Sequence, residues 1–546
     1  MFCQLETLRR AVQPNVRRIL EKLPKTLDET YERVLKNIND NNRDHARHLL
    51  HCLAVSVRPL RVEELAEILC FDFDVLEGSI PKFYPDRRPN DQEGAILAIC
   101  SSLITIVDNR RSRVVQFSHL SVKEFLTSSH LASAGHLSSF RILPVHAHTI
   151  FAQACLGLLL HPNDRNRDKS FRVSPLSEYA ARYWVTHVQF EHVASRVMDG
   201  MKFLFDADKP HFTAWIGLFD IDRESGRNIP SEMQIPSPLY YSALCGFHDL
   251  VRHMADKYPQ HVNAIGGSYG FPLVAALCRN HFLVAELLLD YGGRVDVRDT
   301  RKQTVLHKTM DRLDKEAIDA VQFLLKHGAD VNVQRDDLWT PLHLALSVGK
   351  LKAARMLLDH QANVHARNND GQAPLHLLSR WEAPQDEDDG SDMAKLLLER
   401  GANVNEKDTH NATPLHVASD YKRLEVVRVL LDNGASLDIE NDQGKTPLHI
   451  AIRGSSDGQG DGVDIARLLV EHGAEMYAQD NYRLSTSDLA CCFGKEKIAQ
   501  ALFGDQHLFK SENSRDETFR RWIDGEYHSQ GHCFAVSHVV PRVRCG

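Results

Sequence analysis

Residues 266–270 read Gly-Gly-Ser-Tyr-Gly and match G-x-S-x-G, the pattern in which a serine on a sharp strand-to-helix turn becomes a nucleophile. Ser268 would then need a histidine and a carboxylate brought to it by a hydrolase sheet. Gly444-Lys445-Thr446 matches the end of a phosphate-cradling G-x-x-x-x-G-K-[ST] loop, but the position of the first glycine is Ile439. Gly458, Gly460 and Gly462 alternate without a strand before them. His45, His48, His51 and Cys52 fall near one face of a predicted helix and have ligand chemistry, yet no second half-site follows at zinc spacing. His528, His532, Cys533 and His538 cluster beside Glu526 in an otherwise featureless tail. Arg110, Arg111 and Arg113 lie in a polar turn from which they would reach phosphates. Against that, the helix predicted over Val62–Leu69 carries Glu63, Glu64 and Glu67, which would face a polyanion unfavourably.

The composition sets the scale on which these motifs must be weighed. The 546 residues suggest three to five domains or one long repeat array, at about 100–200 residues per domain. Hydrophobic content of 43% with 25% charged residues is the balance of a globular protein with ample core. The net charge of −8 argues against a broad nucleic-acid surface. It is uneven: residues 237–504 hold 29 Lys+Arg against 38 Asp+Glu, leaving 36 against 35 elsewhere. The longest apolar stretches, Ile96–Val107 and Ala147–Leu160, fall short of the roughly 20 residues that span a bilayer. Eleven dispersed cysteines without a C-x-x-C pair read as reduced thiols, and no apolar signal-like run opens the chain. A cytoplasmic protein with no membrane partner is expected.

A repeat dominates the second half. TPLHLA (340–345) recurs as TPLHVA (413–418) and TPLHIA (446–451). Weaker copies are SPLYYS (237–242), FPLVAA (271–276), TVLHKT (304–309), APLHLL (373–378) and STSDLA (485–490), at intervals of 33 to 40 residues. Between them lie FLLKHGADVN (323–332), LLLERGANVN (396–405), VLLDNGASLD (429–438) and LLVEHGAEMY (468–477). These phrases resemble ankyrin repeats over about half the chain. The chemistry agrees: Thr suits an N-cap, Pro the first helical turn, and Gly328, Gly401, Gly434 and Gly473 the left-handed end of a helix. Gln361 replaces such a helix-ending glycine, and Leu338 replaces the glycine of a hairpin tip. One repeat cannot bury its own apolar face, so stacking makes the core. The repeated His307, His343, His376, His416 and His449 are expected to tie neighbouring repeats by hydrogen bonds. In this register Ser268 and Lys445 fall on hairpins between repeats. The acidic 381–392 and glycine-rich 454–462 read as solvated inserts.

In the first half, Thr26-Leu-Asp-Glu29 is a capping box opening an amphipathic helix. Helices are predicted near 45–57, 62–69 and 93–100, then two β-rich runs, 103–107 and 114–117, and a helix from Ser121. Helices followed by a short hairpin wing make a winged helix. LPKTLDETYERVL (23–35), RPLRVEELAEIL (58–69) and FSHLSVKEFL (117–126) resemble the region after the NACHT nucleotide-binding domain in fungal NACHT–ankyrin proteins, relatives of NLR-type immune receptors. The winged helix is similar to the accessory one named after GPI inositol-deacylase. The resemblance implies that His119 would contact the β-phosphate of ADP if a NACHT core is supplied. No such core is expected in this chain, because no complete phosphate loop occurs and the resemblance places Met1 where the NACHT domain of such proteins ends. The expectation is a shortened product, or a variant keeping only regulatory and sensor parts.

The fold expected is mainly α: a helical stub (1–42), a winged helix (43–134), a helical connector (135–236), an ankyrin-repeat solenoid of about eight repeats (237–504) and a tail (505–546). The function expected is non-catalytic protein recognition in an NLR-like signalling or self/non-self response, with no cofactor and no metal. A protein partner is placed on the concave face of the array, with a NACHT-bearing chain as a second partner. Trp339, Arg335, Tyr482 and Arg483 are the candidate anchors, because aromatic residues and arginine at hairpin tips have the chemistry of interface hot spots. Trp339 is expected to be exposed there. The alternatives are a nucleic-acid-binding regulator working through the winged helix and a hydrolase centred on Ser268.

Overall fold

The computed structural model describes residues 26–75, 79–109, 112–161, 174–222, 236–311, 317–380, 390–454, 461–486 and 489. The chain divides into two compact units after Arg294, inside the repeat region.

The first unit opens with α1 (Leu27–Lys36), whose N-cap Thr26 accepts the Glu29 N–H at 3.2 Å. Asp28 and Glu29 in the first turn, with Arg33 and Lys36 in the last, suit the helix dipole. The winged helix follows: α2 (Arg43–Val55), β1 (Leu60–Arg61), α3 (Val62–Ala66), β2 (Phe71–Asp72), β3 (Lys82–Phe83), α4 (Gln92–Cys100), β4 (Ile104–Asn109), β5 (Ser112–Phe117) and α5 (Leu120–Thr127). Strand order β1-β5-β4 makes a three-stranded antiparallel sheet, and β2 pairs with β3 separately. The helix expected over 62–69 stops at Ala66 and tightens into a 3₁₀ turn, Glu67–Cys70.

That turn corrects one expectation. Glu64 and Glu67 do not face outward; both are fully buried. Glu64 accepts from Arg58 at 2.7 and 2.8 Å and from Arg61 at 2.9 Å, and Glu67 accepts from Arg88 and Ser174. Burial is tolerated because each carboxylate is paired and hydrogen-bonded. The helix immediately before the wing is α4, which contains no lysine or arginine.

The connector consists of α6 (Pro144–Leu159), α7 (Ser177–Val188), α8 (Val193–Arg196), α9 (Met198–Leu204) and α10 (His211–Leu218). Its core is aromatic: Trp184 and Trp215 meet edge-on at 5.3 Å beside Phe205 and Phe212, and the Trp215 indole donates to the Ala181 carbonyl. The unit closes with two helix pairs, α11 (Pro238–Leu244) with α12 (His248–Lys257), and α13 (Pro272–Cys278) with α14 (Phe282–Asp290). The degenerate first copies, SPLYYS and FPLVAA, therefore form repeats.

The second unit stacks five further pairs: α15 (Val305–Met310) and α16 (Ala317–Lys326), α17 (Pro341–Ser347) and α18 (Leu351–Asp359), α19 (Pro374–Arg380) and α20 (Ser391–Glu399), α21 (Pro414–Asp420) and α22 (Leu424–Asp432), α23 (Pro447–Gly454) and α24 (Asp461–Glu471). First helices pack on first helices and second on second, so each Leu, Ala and Val stripe is covered by the next repeat. Gly328, Gly401, Gly434 and Gly473 have positive φ after the second helix, and Gln361 holds φ 64° in the same role.

Candidate recognition surface of the repeat array

The hairpin tips of the second unit are built by one local rule. The first tip residue, Asp299, Asn368, Asp408, Asn441 or Asp480, turns its side-chain oxygen back onto main-chain N–H groups of its own tip. Short Asx side chains do this readily, which makes them turn formers. Three residues on, the backbone is left-handed: Lys302, Leu338, Gly371, Asn411, Gly444 and Arg483 all have φ between 56° and 71°. Each tip also donates a main-chain hydrogen bond to the one before. Asp336, Asn369, Thr409, Asp442 and Asn481 donate to Arg301, Asp337, Asp370, His410 and Gln443, at 3.0–3.3 Å. The tips thus form a continuous row.

The histidines lock that row to the helices. In four repeats the N-cap Thr N–H donates to Nδ1 of His307, His343, His416 or His449, and Ala373 does so for His376, at 3.1–3.2 Å. Nδ1 is thereby the acceptor and Nε2 carries the proton. Nε2 donates to the carbonyl of Trp339, Gln372, Ala412, Lys445 and Leu484, each in the next repeat, at 3.0–3.4 Å. The expected tying role is what the geometry shows. Burial drives the imidazole pKa values down, to about 4 for His307, His343 and His416.

A second set of ties went unrecognised in the sequence. Asn332 and Asn405 each reach the next repeat twice, accepting from the N–H of Asn363 or Ser436 and donating to the carbonyl of Gln361 or Gly434. Asn263 makes the same pair with Arg294 and Gly292 in the first unit. The signal was present in the last Asn of the ADVN and ANVN phrases.

One tip breaks the rule. Arg335 stands where the others have Asp or Asn. Asp337 takes over, accepting from Arg335 Nε at 2.6 Å and from the Trp339 N–H at 3.4 Å. The Arg335 guanidinium lies 5.2 Å from the Trp339 ring centroid, and the His343 ring is 6.0 Å away on the inner side. Trp339 is therefore half-buried rather than fully exposed, because its neighbours flank it. Leu338, 41% exposed, occupies the left-handed position without a glycine's freedom. Tyr482 and Arg483 are exposed on the last described tip. The structure sets both pairs on the same row of tips but does not bring them together.

The remaining motifs have structural surroundings. Ser268 donates its hydroxyl to the Asp222 carbonyl and its N–H to the Asp222 carboxylate, on a hairpin closed by the Gly266–Gly270 pair. Tyr240 donates to that carboxylate, whose pKa burial raises. Lys445 is buried on a tip, with Nζ donating to Gln443 Oε1 and burial pulling its pKa to about 8. His119 caps α5, its Nδ1 3.2 Å from the Ser121 N–H and 2.7 Å from the Ser121 hydroxyl. The His48 ring lies tilted against Phe73 at 4.2 Å, His51 bonds to the Arg141 carbonyl, and Cys52 is buried. Among the described residues no group of three His, Cys, Asp or Glu is disposed to hold a metal. Arg113 on the wing pairs with Glu93 and Asp108. Arg110, Arg111, the 381–389 part of the acidic insert, Gly458, Gly460 and the 526–538 cluster lie outside the described residues.

A stack of helix pairs joined by side-chain ties and a row of exposed tips is a repeat scaffold, here on a chain that also carries a winged helix. Family models agree: ankyrin repeats match residues 306–408 and 383–480, and the winged helix domain of GPI inositol-deacylase matches 31–138. The chain thus combines a winged helix of the GPI inositol-deacylase type with ankyrin repeats. It is similar to the azaphilone pigments biosynthesis cluster protein L of Monascus ruber, 32% identical over 298 residues, half of this chain and 61% of that one. It also resembles mouse ankyrin repeat and SAM domain-containing protein 6, 31% identical over 109 residues, 20% of this chain and 12% of that one. The matches cover less than two thirds of either relative. Ankyrin repeats imply protein partners. Among the described residues no helix is long and apolar enough to cross a membrane.

Proposed function

We propose that this chain is a non-catalytic recognition and regulatory module whose ankyrin array holds a protein partner on its concave side, within an NLR-like signalling or self/non-self response in the cytoplasm. The observation that carries the reading is the tip at 335–339. There the Asx cap is lost to Arg335, a leucine sits exposed in a left-handed conformation, and a tryptophan is only half-covered. Local rules broken together at one place are a mark of positions kept for function. Trp and Arg are also the residues richest in interface energy. Tyr482 and Arg483 extend the contact along the row, and a NACHT-bearing chain is the second partner.

On this reading the winged helix packs rather than reads nucleic acid, because α4 offers no cation and Arg113 is engaged by carboxylates. Ser268 serves to fasten its hairpin to Asp222, and no nucleotide or metal is required. The test is a pull-down with cross-linking and mass spectrometry, run beside a thermal melt, for the parent and Trp339→Ala. Loss of the captured partner at an unchanged melting temperature supports the reading. Retained capture with a lowered melting temperature makes Trp339 a packing residue and removes the site.

A further inference from the structure

Four polar groups at the seam between the winged helix and the connector form one chain of hydrogen bonds. The Val57 N–H, just past α2, donates to the Tyr179 hydroxyl oxygen at 3.0 Å, and that hydroxyl lies 3.0 Å from His187 Nε2. His187 Nδ1 lies 3.0 Å from Nδ1 of His148 on α6. Tyr179 and His187, both on α7, are fully buried, whereas His148 is half-buried. Phe151 stacks on Tyr179 and Phe190 on His148, with ring centroids 5.0 and 4.2 Å apart, which keeps the rings in place. The connection from α2 to β1 also carries Arg58, which lies 5.1 Å from the Tyr179 ring centroid and pairs with the buried Glu64.

The chain closes in one direction. A main-chain N–H only donates, so the Tyr179 oxygen accepts from Val57, and the phenolic proton has one acceptor among the described residues, His187 Nε2. His187 then carries its proton on Nδ1 and gives it to His148 Nδ1, which leaves the His148 proton on Nε2. A second proton on His148 has to enter at Nδ1, where the chain already delivers one. Either the ring leaves the chain, or His187 moves its proton to Nε2 and turns it against Tyr179, whose own proton is then buried without an acceptor. We propose that Val57, Tyr179, His187 and His148 form a proton-sensitive latch between the winged helix and the connector, closed while His148 is neutral and opened when it takes up a proton. Burial alone acts on the charge of His148, and burial and His148 act on His187, so among the described residues no charged group of α8, α9, α10 or β3 holds either ring. Cys155 on α6, Cys52 on α2, Arg58 and Tyr183 surround Tyr179. His146, the neighbouring histidine of α6, is turned to His51, Arg47 and Arg196. Burial holds the His148 pKa below its ordinary 6.5, so the latch is fully closed above pH 6.5 and is lost as the pH falls below it.

The test is hydrogen–deuterium exchange of the full chain at about pH 7.5 and 5.5, read at the Val57 amide by mass spectrometry and corrected for the intrinsic exchange rate. If the open form titrates with the ordinary pKa of about 6.5, the open fraction rises about tenfold between these pH values, and protection of Val57 is expected to fall by that factor. Protection along β4 and β5 is expected to hold. His148→Asn puts an acceptor that does not titrate near the place of Nδ1, and Val57 is expected to stay protected at both pH values. Tyr179→Phe removes the acceptor and is expected to leave Val57 unprotected at both. Protection that is independent of pH in the parent overturns the proposal, as does the same acid loss in His148→Asn, or a protected Val57 in Tyr179→Phe. Protection already lost in His148→Asn at the higher pH makes the ring a packing element and likewise sinks the latch. Where Tyr179→Phe does not fold, the parent and His148→Asn decide between them.

Discussion

His416 Nε2 donates to the main-chain oxygen of Lys445 in the next repeat at 3.0 Å, while its Nδ1 accepts the Thr413 N–H at 3.1 Å. One buried imidazole thus satisfies a helix N-terminus and a neighbouring hairpin together. Helix ends leave unpaired N–H groups, and tip carbonyls facing the core have no water, so the ring closes two deficits that stacking creates.

Removing it is expected to expose both deficits. His416→Ala leaves a buried N–H and a buried carbonyl unmet, each costing about 1–3 kcal/mol, and opens a cavity. A loss of at least about 2 kcal/mol is expected by urea unfolding. Thr413→Ala, which removes the hydroxyl 2.8 Å from Nδ1, should cost about 0.5–2 kcal/mol. Lys352→Ala, on the exposed side of α18, should stay within about 0.5 kcal/mol. Equal midpoints for the three would deny the histidine its tying role.

The same rings make the array acid-sensitive. Their folded pKa values are depressed, to about 4 for His307, His343 and His416 and downward for His376 and His449, from an ordinary 6.5. The unfolded chain therefore binds protons first, so stability is full above pH 6.5 and falls as pH drops toward 4. Full protonation costs on the order of 3 kcal/mol for each of the three. Melting temperatures measured from pH 7.5 to 4 should decline steadily through this window. A flat profile would mean that the rings are not buried neutral.

Gln361 is strained where its counterparts are glycine. At φ 64° a side chain costs about 1–2 kcal/mol, partly offset in a Gly variant by the greater freedom of the unfolded chain. Gln361→Gly is expected to stabilise by up to about 1 kcal/mol, read as a rise in urea midpoint.

In the first unit, Glu64→Ala is expected to be costly. It strands Arg58 and Arg61, which both close on the buried carboxylate. Breaking a buried pair from one side costs about 3–5 kcal/mol, and the partial exposure of both arginines puts the loss near the lower end. Chemical denaturation of the winged-helix signal measures it.

Calorimetric titration of ATP or ADP into the chain is expected to be silent, since no complete phosphate loop occurs in the sequence. Micromolar ADP binding abolished by His119→Ala would reverse this expectation and restore His119 as a nucleotide contact.

The repeat array was legible in the residues because its signals are local and recur. Thr, Pro and His at fixed offsets in most copies, and glycine after most of the leucine-rich helices, answer demands of helix ends that recur with each repeat. The winged helix was legible through the period change from helix to strand before Ser121. The sequence by itself also determined that Arg335 departs from its neighbours, a departure visible once the tips are aligned.

Other features depended on distance between parts of the chain. Whether Glu64 and Glu67 face solvent is decided by Arg58, Arg61, Arg88 and Ser174, brought to them by the fold. Glu67 and Ser174 stand 107 residues apart in the chain, and no periodicity carries that pairing. Trp339 became half-buried through Arg335 and His343, whose rotamers answer to packing rather than to spacing. Local capping and turn energies are written into a few consecutive residues; burial and charge pairing depend on what the tertiary structure lays against them.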